Sequence, residues 1–365
     1  MNLGDGIVEK ITIVPSNLSG KGGTESVLHN VFTSKYIGEN FHFIIFLPFG
    51  KRNLNWLNED QNLDKMYALP FQKNDRSILA RFVRLFLSTI FYCFCGSKVV
   101  VISNSRQIKI AKFIKKIFHK NYVVVSWVHF SLINSEHINP DFIKIADGHL
   151  AISTGVKQQL IELGVNPKTI SMIYNPVLSS QDKVHRSNEK IKRLLYIGRL
   201  QFRSYKNFKF LMDGLKKLKI EWRLTVVGTG KDLDIIKKYA TDIGIIEKIE
   251  FKGWKKKPWN SIGDTDALVL TSNSEGFGMV LAEAISRGIP VVSSNCLVGP
   301  KDIVKNGVNG ELYKTNDMDD FLNSMEKVLT SDYSDIEKIK KSINYLYDEN
   351  FDKRFVEAIN KHIRN

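Results

Sequence analysis

The sequence predicts a two-domain α/β fold in which each domain is a parallel sheet covered by helices on both faces. Three observations carry this. Short β-branched runs alternate with segments whose apolar residues recur at three- and four-residue spacing, the pattern of βαβ units. The alternation occurs twice, interrupted by a polar, non-periodic stretch, Ser179–Lys190 (SSQDKVHRSNEK), which follows Asn175-Pro176 and reads as a linker. The 365 residues suffice for two domains of ordinary size.

In the first series, Ile11–Pro15, His42–Leu47, Lys98–Ser103, Val123–Trp127 and Leu150–Ser153 read as strands because they are short apolar or β-branched runs. Thr24–Lys35, Arg76–Cys95, Arg106–His119 and Gly155–Gly164 read as helices, the last ending on a glycine suited to a C-cap. The second series places strands at Arg193–Ile197, Arg223–Val227, Lys248–Phe251, Ala267–Thr271 and Val291–Ser294, with helices at Asn207–Leu218, Leu233–Ile243 and Gly278–Arg287. The predicted domains are therefore 1–178 and 190–350. The amphipathic segment 351–365 either continues the second domain or crosses back to the first, and periodicity fits both.

Charge narrows the class of partner. Lys and Arg number 53 against 38 Asp and Glu, a net +15, which suits nucleic acid, an anionic membrane surface or phosphorylated small molecules. No RNP-type aromatic motif, zinc-finger spacing or basic recognition helix is present, so nucleic acid is not the expected partner. The densest cluster, residues 73–120, holds 11 basic residues and one acidic residue, Asp75. There Arg76, Arg81 and Arg84, and further on Lys109, Lys112, Lys115 and Lys116, accompany apolar residues at helical spacing, a candidate surface for the anionic inner leaflet of a membrane. The longest apolar stretch, Leu85–Cys95, is about half of what a spanning helix needs. Cys93, Cys95 and Cys296 make no disulfide framework, and Met1–Glu9 shows no basic region leading into an apolar core, so a cytoplasmic location is expected.

In open parallel sheets, ligands bind beyond the carboxyl ends of the strands, so polar residues just after strands are the first suspects. The segment Ser272–Ser286, SNSEGFGMVLAEAIS, places Glu275 in a loop after a strand, bounded by Gly276 and Gly278, and Glu283 on the following helix. Carboxylates accept hydrogen bonds from sugar hydroxyls, and a helix N-terminus attracts phosphate, so both halves of a nucleotide sugar could be held here. Tyr196–Asn207, YIGRLQFRSYKN, supplies Arg199 after a strand and Lys206 before a helix, two cations for a diphosphate. Gly22 and Gly23 lie in the loop after the first strand, where backbone N–H groups can approach an anion. The Val227-Gly228-Thr229-Gly230 loop lacks the third glycine of a dinucleotide fingerprint, and Phe251-Lys252-Gly253-Trp254 offers an aromatic surface for a base. His129 lies just beyond a β-branched strand. The three D-x-D triplets at Asp232, Asp264 and Asp317 each begin an element, where Asp is favoured for capping or turns, and no metal is assigned to them.

E-G-F-G-M-V-L-A-E-A followed by G-I-P-V-V resembles the E-x(7)-E signature of the retaining glycosyltransferases of family four, and the motifs fall in that family's order over nearly the whole chain. The resemblance implies the GT-B fold, two facing Rossmann-like domains with a cleft between them. It assigns Glu275 to the donor sugar, Glu283 to the ribose, and the backbone at Gly276, Phe277 and Gly278 to the sugar and diphosphate. Arg199 and Lys206 would bind the diphosphate, Gly22 and Gly23 lie near it and the acceptor path, Gly228, Gly253 and Trp254 line the nucleotide pocket, and His129 meets the donor sugar near its primary hydroxyl. Ser126–Leu132 (SWVHFSL) with Gly299-Pro300-Lys301-Asp302-Ile303 looks most like the lipopolysaccharide core galactosyltransferases that make α-1,6 branches.

What this implies is a metal-independent hexosyltransferase without a cofactor. It would move galactose or glucose from a UDP-sugar to a hydroxyl of an oligosaccharide or lipid-linked glycan in lipopolysaccharide or related cell-surface synthesis. A GT-B epimerase or phosphorylase is the alternative, although no pyridoxal lysine site is found for the latter, and a non-enzymatic nucleic-acid-binding protein is a more remote one.

Overall fold

The computed structural model describes residues 8–16, 18, 22–50, 54, 57, 62–70, 77–133, 138–187 and 189–364. The chain forms two compact units: Met1–Pro176 with Asp348–Asn365, and Val177–Tyr347.

In the first unit the order is β1 (Glu9–Val14), α1 (Gly23–Thr33), α2 (Lys35–Gly38), β2 (Phe41–Leu47), β3 (Leu63–Ala68), α3 (Ile78–Phe94), β4 (Val99–Ile102), α4 (Ser105–Ile117), β5 (Val123–Ser126), α5 (Pro140–Lys144), β6 (Gly148–Ala151), α6 (Thr154–Glu162) and β7 (Ile170–Met172). The seven strands pair in the order β3-β2-β1-β4-β5-β6-β7, each parallel to its neighbours. Every residue of β4 and β6 is buried, as expected of central strands covered on both faces. The chain reverses its direction of travel across the sheet between β1 and β4, which makes the exits of those strands a switch point. Strands β3 and β7 add to the five read from sequence.

The second unit runs β8 (Lys192–Ile197), α7 (Phe208–Lys217), β9 (Trp222–Val227), α8 (Leu233–Asp242), β10 (Ile249–Gly253), β11 (Ala267–Leu270), α9 (Met279–Ile285), β12 (Val291–Ser294), α10 (Pro300–Ile303), β13 (Gly310–Tyr313), α11 (Met318–Thr330) and α12 (Ile336–Lys341). Its parallel sheet has the order β10-β9-β8-β11-β12-β13, so the switch point lies between β8 and β11. Aromatic packing holds α7 and α11 to the sheet: Phe208 meets Tyr196 edge-on with centroids 4.8 Å apart, and Phe321 meets Tyr313 at 5.1 Å. The polar stretch expected to be a linker is tied into this unit. Arg186 donates to the carbonyls of Ser331 (2.8 Å) and Val328 (3.1 Å), and Thr265 N donates to His185 O at 2.9 Å.

The closing helix, α13 (Asp348–Arg364), belongs to the first unit. Its buried side carries Phe351, Phe355, Val356, Ile359 and His362. The Phe355 ring lies 5.6 Å from that of Trp127 and 6.4 Å from that of Phe43, Ser34 Oγ donates to Asp352, and His362 fills the space a side chain at Gly148 would need. Each fully buried Phe contributes about 2–3 kcal/mol to this docking. The domain boundary thus falls at 347/348, three residues before the one read from the sequence.

Candidate active site

The exits of the second unit's strands are built as one interlocked group of loops. Arg199, exposed, follows β8, and its carbonyl accepts from Tyr196 Oη at 3.0 Å. The neighbouring loop after β9 comes so close that a Cβ at Gly228 would stand 1.9 Å from Gly198 O, and one at Gly230 1.9 Å from Leu200 O. Leu200 N donates to Thr229 O (3.1 Å), and Gly228 N donates to Gly253 O (2.8 Å), which binds the exit of β10 into the same group. The G-x-G spacing is therefore dictated by this backbone contact, since any side chain would separate the loops.

Lys206 stands at the switch point. Its Nζ lies 2.5 Å from Glu275 Oε1, with side chains 23% and 10% exposed. The loops bearing the two residues are laced together: Asn273 N donates to Tyr205 O at 2.7 Å, and Thr271 Oγ1 donates to the carbonyls of Asn207 (3.2 Å) and Lys206 (3.3 Å). Asn207 takes a left-handed conformation, φ 45°, and its Nδ2 donates to Asn316 Oδ1 at 3.1 Å. Burial, with the Glu275 charge as the second cause, pushes the Tyr196 phenol up and the Cys296 thiol up to about 11.

Past Glu275, Phe277 is buried and Gly278 turns the chain into α9 with φ 94°. A Cβ at Gly299 would sit 2.1 Å from Phe277 O, so the loop after β12 presses directly on the backbone of the E-G-F-G segment. Glu283, on α9, accepts from Trp259 Nε1 at 2.9 Å. Arg287 donates to the Glu283 carbonyl (2.9 Å) and lays its guanidinium 4.6 Å from the Trp259 ring centre. Burial raises the Glu283 pKa, opposed by the Trp259 hydrogen bond and the Arg287 charge. Trp259 and Arg287 were not among the residues singled out from sequence; 24 residues separate Trp259 from the carboxylate it orients, and no local motif marks the pair. Trp254, next to Gly253 at the end of β10, is 43% exposed.

In the first unit, Gly22 is the N-cap of α1 and Gly23 its first residue; residues 17 and 19–21 of that loop lie outside those described. His129 follows β5 and is 7% exposed, its ring 4.7 Å from that of Trp127. Burial lowers its pKa to about 3, so the imidazole is neutral at neutral pH, and neither ring nitrogen has a hydrogen-bond partner among the described residues.

Each D-x-D triplet has one carboxylate committed to a backbone N–H: Asp232 to Phe202 (3.0 Å), Asp266 to Arg193 (2.7 Å) and Asp317 to Asp320 (3.1 Å). Among the described residues no three His, Cys, Asp or Glu side chains cluster as metal ligands would.

Residues 179–349 match the family model described as glycosyl transferases group 1. The chain is 34% identical over 361 residues to a lipopolysaccharide 1,6-galactosyltransferase of Salmonella typhimurium, covering 96% of this chain and 98% of the relative. It is 32% identical over 359 residues to a protein of the same description from Escherichia coli K12, covering 96% and 98%. Among solved structures, the apo form of the lipopolysaccharide outer core galactosyltransferase WaaB superposes with a TM-score of 0.82 at 33% identity, covering 96% of this chain and 99% of that one. Anabaena HepE in complex with UDP-glucose shares the fold, with a TM-score of 0.76 at 17% identity and coverage of 96% and 99%. With two parallel-sheet, Rossmann-like domains of the GT-B type and full-length identity to such enzymes, the chain belongs to the group 1 glycosyltransferases.

Proposed function

We propose that the chain is a retaining hexosyltransferase of family four that transfers galactose from UDP-galactose to a saccharide hydroxyl in the synthesis of a lipopolysaccharide core or related cell-surface glycan. The observation that carries this reading is the Lys206–Glu275 pair at the switch point, in a chain 34% identical to a lipopolysaccharide 1,6-galactosyltransferase. Without a donor, the ammonium and the carboxylate satisfy each other. A nucleotide sugar offers each a better partner: the diphosphate takes Lys206 and Arg199, and the sugar hydroxyls take Glu275. Glu283, oriented by Trp259, accepts from the ribose hydroxyls. His129, neutral and with neither ring nitrogen hydrogen-bonded among the described residues, is suited to a sugar hydroxyl.

In the transfer, the bond between the anomeric carbon and the diphosphate oxygen breaks while a bond to the acceptor oxygen forms on the same face. The acceptor proton passes to the departing phosphate, and UDP leaves. Arg199 and Lys206 stabilise the charge that develops on that phosphate, the task a metal ion performs elsewhere, and we read the reaction as metal-independent. The three cysteines, none of them paired, suit a cytoplasmic enzyme.

The test is UDP release from UDP-galactose and UDP-glucose, with and without a deacylated lipopolysaccharide core lacking its α-1,6 branch, followed by NMR of the product. Acceptor-dependent UDP release with an α-anomeric product is expected. Interconversion of the two donors without acceptor, or a β-anomeric product, would overturn the proposal.

A further inference from the structure

We propose that the outward face of α3, joined by that of α4, docks the first unit on an anionic lipid bilayer, with α3 lying among the headgroups rather than crossing them. The inference is independent of the sugar chemistry.

A helix that covers a sheet normally turns its apolar side inward. Helix α3 does the reverse. Of its 17 residues only Ala80, Ser88 and Tyr92 are buried, whereas Ile78, Phe82, Phe86, Ile90 and Phe94 recur every fourth residue along one exposed side, with Leu79 and Leu85 beside them. Ile78 is 85% exposed, Phe82 67% and Phe94 81%. The opposite side anchors the helix: the Phe91 ring stacks on that of Phe46 at 4.0 Å, and Tyr92 Oη donates to Gln107 Oε1 of α4 at 2.9 Å. Helix α4 adds exposed Phe113 and Ile117, with Phe118 just beyond its end. A monomer in water does not leave so many large apolar side chains on one helix without a partner.

The charges say which partner. Residues 77–120 contain no Asp or Glu. Lys112 and Lys115, counted from sequence with the lipid-facing cations, instead converge on Asp147 (2.5 and 2.9 Å) and drop out of the surface. Lys73 and Arg76 lie outside the described residues. Arg81 on the flank of the α3 stripe and Arg106, Lys109 and Lys116 on α4 remain exposed, and the Lys120 ammonium lies 5.8 Å from the Phe94 ring centre. Apolar side chains interleaved with cations, on two helices that carry no carboxylate of their own, match an interface where phosphate headgroups overlie acyl chains. At about 1.5 Å per residue α3 is too short to span a bilayer, and no described helix is long and apolar enough to cross one.

The experiment is cosedimentation of the full chain with vesicles of phosphatidylglycerol and phosphatidylethanolamine, compared with pure phosphatidylcholine, over a range of salt. The wild type should bind the anionic vesicles, bind the neutral ones far less, and release as salt rises. Phe82→Ser with Phe86→Ser should lower vesicle affinity at least about tenfold. Lys116→Glu with Lys120→Glu should lower it at least about fivefold for each charge and flatten the salt dependence. Both variants should keep wild-type UDP release with a water-soluble acceptor, which also reports that they fold. The proposal is overturned if the wild type does not bind anionic vesicles at low salt, or binds neutral vesicles equally, or if both variants bind as the wild type does. It is equally overturned if the Phe variant converts a dimer to a monomer without changing vesicle binding, since the face would then join two copies of the chain.

Discussion

Replacing Lys206 with Ala separates two roles that one ion pair combines. In the unliganded protein, Glu275, only 10% exposed, would lose its 2.5 Å partner. A charge-assisted hydrogen bond in a partly buried pair is worth about 1.5–3 kcal/mol, and the 23% exposure of Lys206 lets solvent recover some of that. A loss of about 1–2 kcal/mol remains, which lowers the unfolding midpoint of a unit this size by about 2–8 °C. During turnover, the loss is of a different kind. A cation that stabilises a departing diphosphate is worth about 10²–10³-fold in rate, and removing it should cut UDP release by that factor. The double variant Lys206→Met with Glu275→Gln distinguishes the two: with no stranded carboxylate it should recover most of the midpoint while remaining as inactive as the single variant. Thermal unfolding and UDP release, measured on both variants, make the comparison. Wild-type UDP release by Lys206→Ala, or recovery of activity together with stability in the double variant, would refute the reasoning.

Trp259→Phe keeps the ring under Arg287 but removes the N–H that orients Glu283, so KM for the donor should rise about five- to tenfold with a smaller change in kcat. Because that hydrogen bond opposes the upward shift of Glu283, its loss should also move the acid limb of the kcat/KM profile to higher pH; an unmoved limb would count against the assignment. Gly299→Ala should destabilise the second unit by about 1–3 kcal/mol, since its φ of 98° and the 2.1 Å approach to Phe277 O leave no room for a Cβ, and donor affinity should fall with it. Acid should unfold the first unit before the second. Burial lowers His129 to about 3 and His149 and His362 to about 4, below an unfolded value of about 6.5. The unfolded chain therefore takes up protons first. Stability is complete above that unfolded value and is lost as pH falls below it, by at most about 1.4 kcal/mol per histidine per pH unit. Flat stability between neutral pH and pH about 5 would contradict this.

Several of the strands that the sequence discloses, β4, β6, β11 and β12 among them, are buried at every residue. Strand β12, Val291–Ser294, is read to the residue because four consecutive small or β-branched side chains have no other reading. Strand β3 escapes because it is a half-exposed edge, its Asp64 and Lys65 in water, and neither alternation nor a continuous apolar run results. Strand β13 begins on Gly310, present because a Cβ there would strike Val291 O at 2.0 Å, and a glycine reads as a break. Helix α11 is omitted from the sequence reading although Phe321, Met325 and Val328 have helical spacing.

At the site, local sequence reveals which residues bear charge beside a strand exit but not with whom they pair. Lys206 and Glu275 are 69 residues apart, and only the adjacency of β8 and β11 brings them together. The same limit hid Trp259, and hid Asp147, whose capture of two lysines removes them from the surface that their spacing on α4 suggested.

The closing helix gives the molecule an order of assembly. Every residue of the second unit, Val177–Tyr347, is synthesised before Asp348, so that unit has its whole sequence while the first is still incomplete. The first unit, though begun earlier, cannot cover Trp127, Phe43 and Gly148 until α13 emerges, and during elongation the side of its core that α13 buries stays open. A chain cut short before Asp348 should therefore damage the unit far from the cut in sequence and spare the one that adjoins it.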